Sequence, residues 1–107
     1  MISRAPPVEV QPITRLARWQ VFEVDSGTHH FVGWVNEDMR GSVSSAIQEF
    51  DTQKGAGRTA SGRIYQLAGP SSYDGDALYV WDQWRRLNHV ESFQDVSTEY
   101  NFATDNH

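Results

Sequence analysis

The chain has 107 residues, no cysteine and a formal net charge of −5 at pH 7. Its length fits one domain, which we place over residues 1–107. Without cysteine, disulfides, thiolate catalysis and cysteine-ligated metal sites are excluded. The basic residues are scattered, which disfavours nucleic-acid binding, because such proteins concentrate basic side chains against phosphates. No apolar run is long enough to span a membrane, and the N-terminal residues lack a signal-peptide pattern. We therefore expect a cytoplasmic protein without membrane association.

The first third of the chain predicts a β-hairpin. Residues 1–14 hold three of the four prolines and predict an extended arm, with a short edge strand as the alternative. Residues 18–24 and 29–35 are rich in β-branched and aromatic side chains, which favour strands. A Ser-Gly pair at Gly27 separates the two runs and is typical of a tight turn.

The middle of the chain is less regular. Residues 42–51 predict a third antiparallel strand, although the apolar spacing also permits a helix. Residues 52–61 are rich in glycine, serine and threonine and predict a mobile loop. Residues 62–68 predict a fourth strand, which we expect to begin nearer Arg58 with Gly62 as a bulge.

The segment after Pro70 carries the clearest helix pattern in the chain. Ser72 or Asp74 can cap its first free N–H groups, and residues 88–89 are a suitable end. Its apolar positions follow helical spacing: Ala77, Val80, Trp81, Trp84 and Leu87. We therefore predict an α+β fold, a three- to four-stranded mainly antiparallel sheet followed by one long C-terminal helix. The core would span residues 15–88. Residues 89–107 would form a polar tail, part of which can pack as a short helix or strand before a frayed end.

Both faces of the predicted sheet are partly apolar, because apolar side chains occupy alternate and adjacent strand positions. One helix covers about one face of a small sheet. The second face needs another cover: the arm with the tail, a second subunit in a homodimer, or closure of the strands into a curved half-barrel. Large uncovered apolar faces generally mark interaction surfaces.

No pattern of catalytic or metal-ligating residues stands out. His29 and His30 are neighbours in a predicted strand, so their side chains point to opposite faces and are poorly placed to share one ion. We therefore predict no metal, no cofactor and no catalytic residue.

The candidate binding residues are aromatic or basic. Tryptophan and arginine are enriched in binding hot spots, and Trp84 and Arg85 lie together on the predicted helix. Arg63 and Tyr65 share one face of a strand and would form a small patch for an acidic partner if that face is exposed. The predicted set is Trp34, Arg63, Tyr65, Trp84 and Arg85.

Four short segments resemble a family of small uncharacterised bacterial proteins of unknown function. They are HFVGW at residues 30–34, SVSSAI at 42–47, SGRIYQLAGP at 61–70 and YVW at 79–81. The resemblance covers about residues 18–88. It implies a compact independent domain and carries over no substrate, cofactor or catalytic residue.

Together these features favour a non-enzymatic interaction or accessory protein that acts through a protein–protein surface, with self-association. The alternative is a small-molecule-binding or enzymatic domain with a pocket between sheet and helix. That pocket would be lined by Trp19, Trp34, Tyr65 and Trp84. A third hypothesis is an acidic mimic of nucleic acid that blocks a basic partner.

Overall fold

The computed structural model describes residues 6–102, which form seven β-strands, one α-helix and one 3₁₀ turn. Predictions for the first residues of the arm and for the frayed end fall outside this range. In chain order the elements are β1 (Ile13–Val24), β2 (His29–Val35), β3 (Arg40–Val43), β4 (Ile47–Asp51), β5 (Ala56–Thr59), β6 (Ile64–Ala68), α1 (Gly75–Leu87), β7 (Phe93–Asp95) and the 3₁₀ turn Ser97–Tyr100.

The strands form one curled sheet in the order β3-β2-β1-β6-β5-β4, with β7 beside the second half of β1. Its two end strands, β3 and β4, are consecutive in the chain, and the Ser44 N–H still donates to the Phe31 carbonyl at 2.9 Å. The sheet therefore bends back on itself at residues 44–46. Counted with β3 and β4 as one bent strand, the path is a ring of five. Strand direction alternates along a series of antiparallel neighbours, so the first and fifth strands run the same way. When the ring closes, these two strands, β1 and β6, therefore pair in parallel.

The predicted three- to four-stranded, mainly antiparallel sheet with a C-terminal helix is wrong. The sheet has seven strands and a parallel pair, and β7 and the 3₁₀ turn follow the helix. Three short strands explain most of the difference. Residues 42–51 divide between β3 and β4 at the bend, and the predicted loop at 52–61 contains β5. Gly62 is not a bulge but lies in the β5–β6 turn with φ +91°.

The predicted hairpin and helix ends are confirmed. β2 spans the predicted residues 29–35, and Gly27 in the preceding turn has φ +93°. Asp74 caps the helix, because its side chain accepts the Ala77 N–H at 2.8 Å. Asn88 is the C-cap, at the predicted end of the helix.

The inner face of the curled sheet encloses the larger core. Its buried residues are Leu16, Trp19, Val21, Phe31, Val35, Tyr65, Leu67 and Val96. Phe31 reaches across to β5, where a Cβ on Gly57 would lie 2.6 Å from the ring. Tyr100 and Phe102 pack against the same core from the C-terminal segment. Strand curvature and this segment thus cover the inner face.

The outer face of β1, β2 and β3 carries a second core beneath α1. Its buried residues are Phe22, Val24, Val32, Ala77, Trp81 and Val90. The helix lies very close to β3, because a Cβ on Gly41 would stand 2.7 Å from the Ala77 Cα. The helical pattern holds for the buried Ala77 and Trp81, whereas Leu87, in the last turn of the helix, is exposed.

Candidate functional site

The predicted binding residues lie in separate parts of the molecule. Trp34 is half-buried on the outer side of β2, with the Arg18 guanidinium 5.5 Å from its ring centroid. Arg63 directly precedes β6, on which Tyr65 faces the inner core, and each of the two side chains is only 4% exposed. The condition for an exposed Arg63–Tyr65 patch is therefore not met.

Trp84 and Arg85 lie together on α1 but have different surroundings. Trp84 stacks on Trp81 with ring centroids 5.3 Å apart and planes 15° apart. It also lies 4.7 Å from the His30 ring, so it forms the rim of the outer core. Arg85 pairs with Asp82 at 3.1 Å and lies over the Phe93 ring.

The four aromatic residues proposed to line a pocket between sheet and helix do not face one space. Trp19 and Tyr65 belong to the inner core, whereas Trp84 packs against the outer core. The Trp19 indole N–H is bonded to the Gly69 carbonyl at 2.9 Å. These four residues therefore do not line one pocket, and a pocket between sheet and helix stays a prediction.

The two adjacent histidines point to opposite faces, as strand geometry predicts. His30 is buried, with Nδ1 2.9 Å from the Ser44 carbonyl and Nε2 2.8 Å from the Thr28 hydroxyl. A carbonyl only accepts, so Nδ1 carries the proton and neutral Nε2 accepts from Thr28. Burial lowers the pKa of His30, and the charge of His29 acts in the same direction. His30 is thus a neutral structural imidazole.

His29 joins a carboxylate to a phenol. Its Nε2 lies 3.1 Å from Glu23 Oε2, and its Nδ1 lies 2.6 Å from the Tyr100 hydroxyl. Such a relay can serve acid–base chemistry. Burial, however, raises the pKa of Tyr100, and the nearby carboxylates of Glu99 and Glu23 raise it further. The relay joins the C-terminal segment to the β1–β2 hairpin.

An open groove of about 470 Å³ lies over the outward side of β4, β5 and β6. The helix packs on β2 and β3, on another part of the sheet. The groove is lined by Glu49, Phe50, Asp51, Lys54, Ala56, Gly57, Arg58 and Ile64. Its walls carry charges of both signs, and Arg58 pairs with Glu49 at 3.1 Å. These walls surround an apolar floor, which suits a ligand with both apolar and charged groups.

The apolar floor extends sideways along the parallel pair. Ile13 and Ile64 are register partners, and they are 59% and 36% exposed. No histidine, serine or tyrosine lines the groove. The groove thus offers contact surface and charge, and its ionisable side chains are the carboxylates of Glu49 and Asp51 and the cations Lys54 and Arg58. Over residues 6–102, no group of three or more histidine or acidic side chains is placed to hold a metal ion.

Comparison with known proteins found no match with a protein-family model, a curated protein or a solved structure. The resemblance to a bacterial family therefore stays a prediction. Within the described part of the chain, no helix is long and apolar enough to cross a membrane.

Sequence reasoning missed the relay because it joins residues that are distant in the chain: His29 and Tyr100 are 71 positions apart. It missed the groove for another reason, because the groove depends on β5, whose Ala-Gly-Arg-Thr sequence has little strand character. The local signal that could have located it is the charged stretch at 49–58, which reads only as a polar loop without the strand pairing.

Proposed function

We propose that this protein is a non-enzymatic interaction module that binds a segment of a partner protein in the groove over β4, β5 and β6. The observation that supports this most directly is the combination of an exposed Ile13–Ile64 floor with charged walls. When a partner covers exposed isoleucine side chains, the free energy of the system falls by about 25 cal/mol per Å² of apolar surface removed from water. Asp51, Lys54 and the Glu49–Arg58 pair would select the partner by charge.

Self-association is not part of this proposal. The homodimer was expected because one helix left an apolar sheet face to be covered. That face is covered within the chain, since the inner core is enclosed by strand curvature and by Tyr100 and Phe102. The groove is a separate surface, and its mixed charges suit a different chain.

Site-specific photo-crosslinking in cells tests the proposal. A photoreactive amino acid at position 64 is compared with one at position 79, because Tyr79 is 61% exposed on the helix. We expect a discrete cross-linked partner at position 64 and none at position 79. The isolated partner should then bind Ile64→Asp at least about ten-fold more weakly than wild type.

Tyr79→Asp is the matched control, because it adds the same charge at an exposed site away from the groove. Circular dichroism confirms that both variants are folded. If a partner labels both positions equally, or binds Ile64→Asp and wild type alike, the groove is not the binding surface and the proposal fails.

A further inference from the structure

One end of the enclosed inner core is polar. Thr14 and Tyr65 are register partners on β1 and β6, and Arg63 precedes Tyr65 on the same inner face. Burial raises the pKa of Tyr65, and this rise is opposed by the charges of Arg63 and Arg40 and by a hydrogen bond with Ser42. Arg63 and Arg40 therefore place two positive charges near the Tyr65 phenol at this end of the core.

Arg63 is a buried cation whose charge no carboxylate balances within residues 6–102. It is 4% exposed, and its Nη1 has no hydrogen-bond partner there. Arg40, by contrast, pairs with Asp38 at 3.0 Å. An isolated buried charge costs several kcal/mol. An anion or another strong hydrogen-bond acceptor would stabilise the buried guanidinium of Arg63.

Two more buried polar atoms, on residues whose backbone lies near Arg63, also lack partners among the described residues. They are the Thr14 hydroxyl and the Gln11 side-chain oxygen. Gln11 belongs to the arm, which is held next to Arg63 because the Ile64 N–H donates to the Pro12 carbonyl at 2.8 Å. A 180° rotation of the Gln11 amide presents its NH₂ instead. Arg63, Thr14 and Gln11 then each offer an unused donor at this end of the core.

The arm itself shows how an acceptor can reach Arg63. The Nη2 group of Arg63 donates to the Pro6 carbonyl. A carbonyl is neutral, and a charged oxygen forms a hydrogen bond to guanidinium about twice as strong. An oxyanion can therefore replace this carbonyl at Arg63 and use the unpaired Nη1 and Thr14 hydroxyl as well.

We propose that the Arg63 end of the inner core is a binding site for a small oxyanion of the phosphate class, bordered by residues 6–12. The site is separate from the groove and from the Glu23–His29–Tyr100 relay. Its ligands are Arg63, Thr14 and Gln11, and Arg40 adds positive charge. The ligand is either free phosphate or the phosphate group of a small metabolite.

Titration of ¹⁵N-labelled protein with inorganic phosphate, at ionic strength matched with sodium chloride, tests the site. We expect saturable shifts of the amide signals of Thr14, Arg63 and Tyr65. A second titration with glycerol phosphate distinguishes the sources: tighter binding of inorganic phosphate assigns the free ion, and tighter binding of glycerol phosphate assigns a phosphomonoester. Absence of saturable shifts with both compounds overturns the proposal.

Two variants separate binding from folding. Arg63→Gln should weaken phosphate binding at least ten-fold, whereas Arg86→Gln, with the same charge change on an exposed helix residue, should bind as wild type does. Thr14→Val should weaken binding too, and it should raise the urea midpoint without phosphate, because it removes a buried hydroxyl that has no partner. If Arg63→Gln binds phosphate as tightly as Arg86→Gln, or Thr14→Val unfolds earlier and binds normally, the oxyanion site is refuted.

Discussion

Arg18 and Asp74 form an ion pair that ties an irregularity in the first strand to the first turn of the helix. The Arg18 Nε donates to Asp74 Oδ2 at 2.7 Å, while Asp74 Oδ1 accepts the Ala77 N–H at 2.8 Å. Arg18 has φ +43° and stands where the β1–β2 register shifts. One carboxylate thus caps the helix and holds the bulge of β1 beside it.

Replacing Asp74 separates its two roles. Asp74→Ala removes the cap and the ion pair and should lower the free energy of unfolding by about 1–2 kcal/mol. Asp74→Asn keeps a capping oxygen and loses the charge. Arg18 is half-exposed, so the ion pair is worth at most about 1 kcal/mol. Urea unfolding should therefore rank wild type above Asp74→Asn and Asp74→Ala last; equal losses in the two variants would mean that the cap contributes nothing.

The contact between Gly41 and the helix leaves no space for a methyl group. A Cβ at this position would lie 2.8 Å from the Asp76 carbonyl oxygen as well as close to the Ala77 Cα, and helix backbone cannot move aside as a side chain can. Gly41→Ala should cost about 1–3 kcal/mol of stability. Gly75→Ala is the control, because its Cβ would meet only the Tyr73 hydroxyl at 3.6 Å. It should unfold at the wild-type urea concentration or above; a similar loss in both variants contradicts this account of the contact.

The buried His30 makes stability depend on pH. Its pKa is lowered in the folded protein from 6.5, mainly by burial, so the unfolded chain binds the proton more readily. Its contribution is complete above the unfolded pKa and is lost as the pH falls through the folded pKa. The free energy of unfolding should therefore decrease between pH 7.5 and pH 5.

His30→Asn should reduce this pH dependence, as measured by urea unfolding at several pH values. His89→Asn is the matched control. His89 is exposed and has φ +56°, a conformation that asparagine tolerates. We expect His89→Asn to keep the wild-type slope, and an unchanged slope in His30→Asn would assign the pH dependence to other groups.

The hydrogen bond between Tyr100 and His29 should hold the C-terminal segment against the inner core. Tyr100→Phe removes it and should lower the free energy of unfolding by about 0.5–1.5 kcal/mol. The Val96 N–H, which donates to the Val21 carbonyl at 2.8 Å, should then exchange its hydrogen faster. Tyr79→Phe changes an exposed ring and should leave both values as in wild type. Unchanged exchange at Val96 in Tyr100→Phe would show that the relay does not fasten the segment.

Local chemistry was sufficient to predict the hairpin and the helix from the sequence. Gly27 sits in the turn between two β-rich runs, and Asp74 and Asn88 stand at the ends of the helix. Each of these signals involves residues within a few positions of one another. They do not depend on the rest of the fold, and for that reason they could be recognised in advance.

The short strands and the candidate sites depend on distant residues. Gly57 reads as loop in sequence, yet it pairs with strands on both sides, and Phe31 fills the space where a side chain would be. Arg63 and Tyr65 were correctly assigned to one face, but alternation does not indicate whether that face points inward. Which face points inward depends on how the whole sheet curls. The curled sheet buries Arg63 at the polar end of the inner core.

The parallel pairing of β1 with β6 also constrains the order of folding. Ile13 and Ile64 are about fifty residues apart in the chain, so their pairing requires a large loss of chain entropy before any contact is gained. The β1–β2 hairpin can form early, since its contacts are local. On the ribosome, however, the ring can close only after residues 64–68 have left the exit tunnel, and the segment ending at Phe102 must follow. Until then the aromatic interior faces water, which makes synthesis the stage at which this protein is most prone to aggregate.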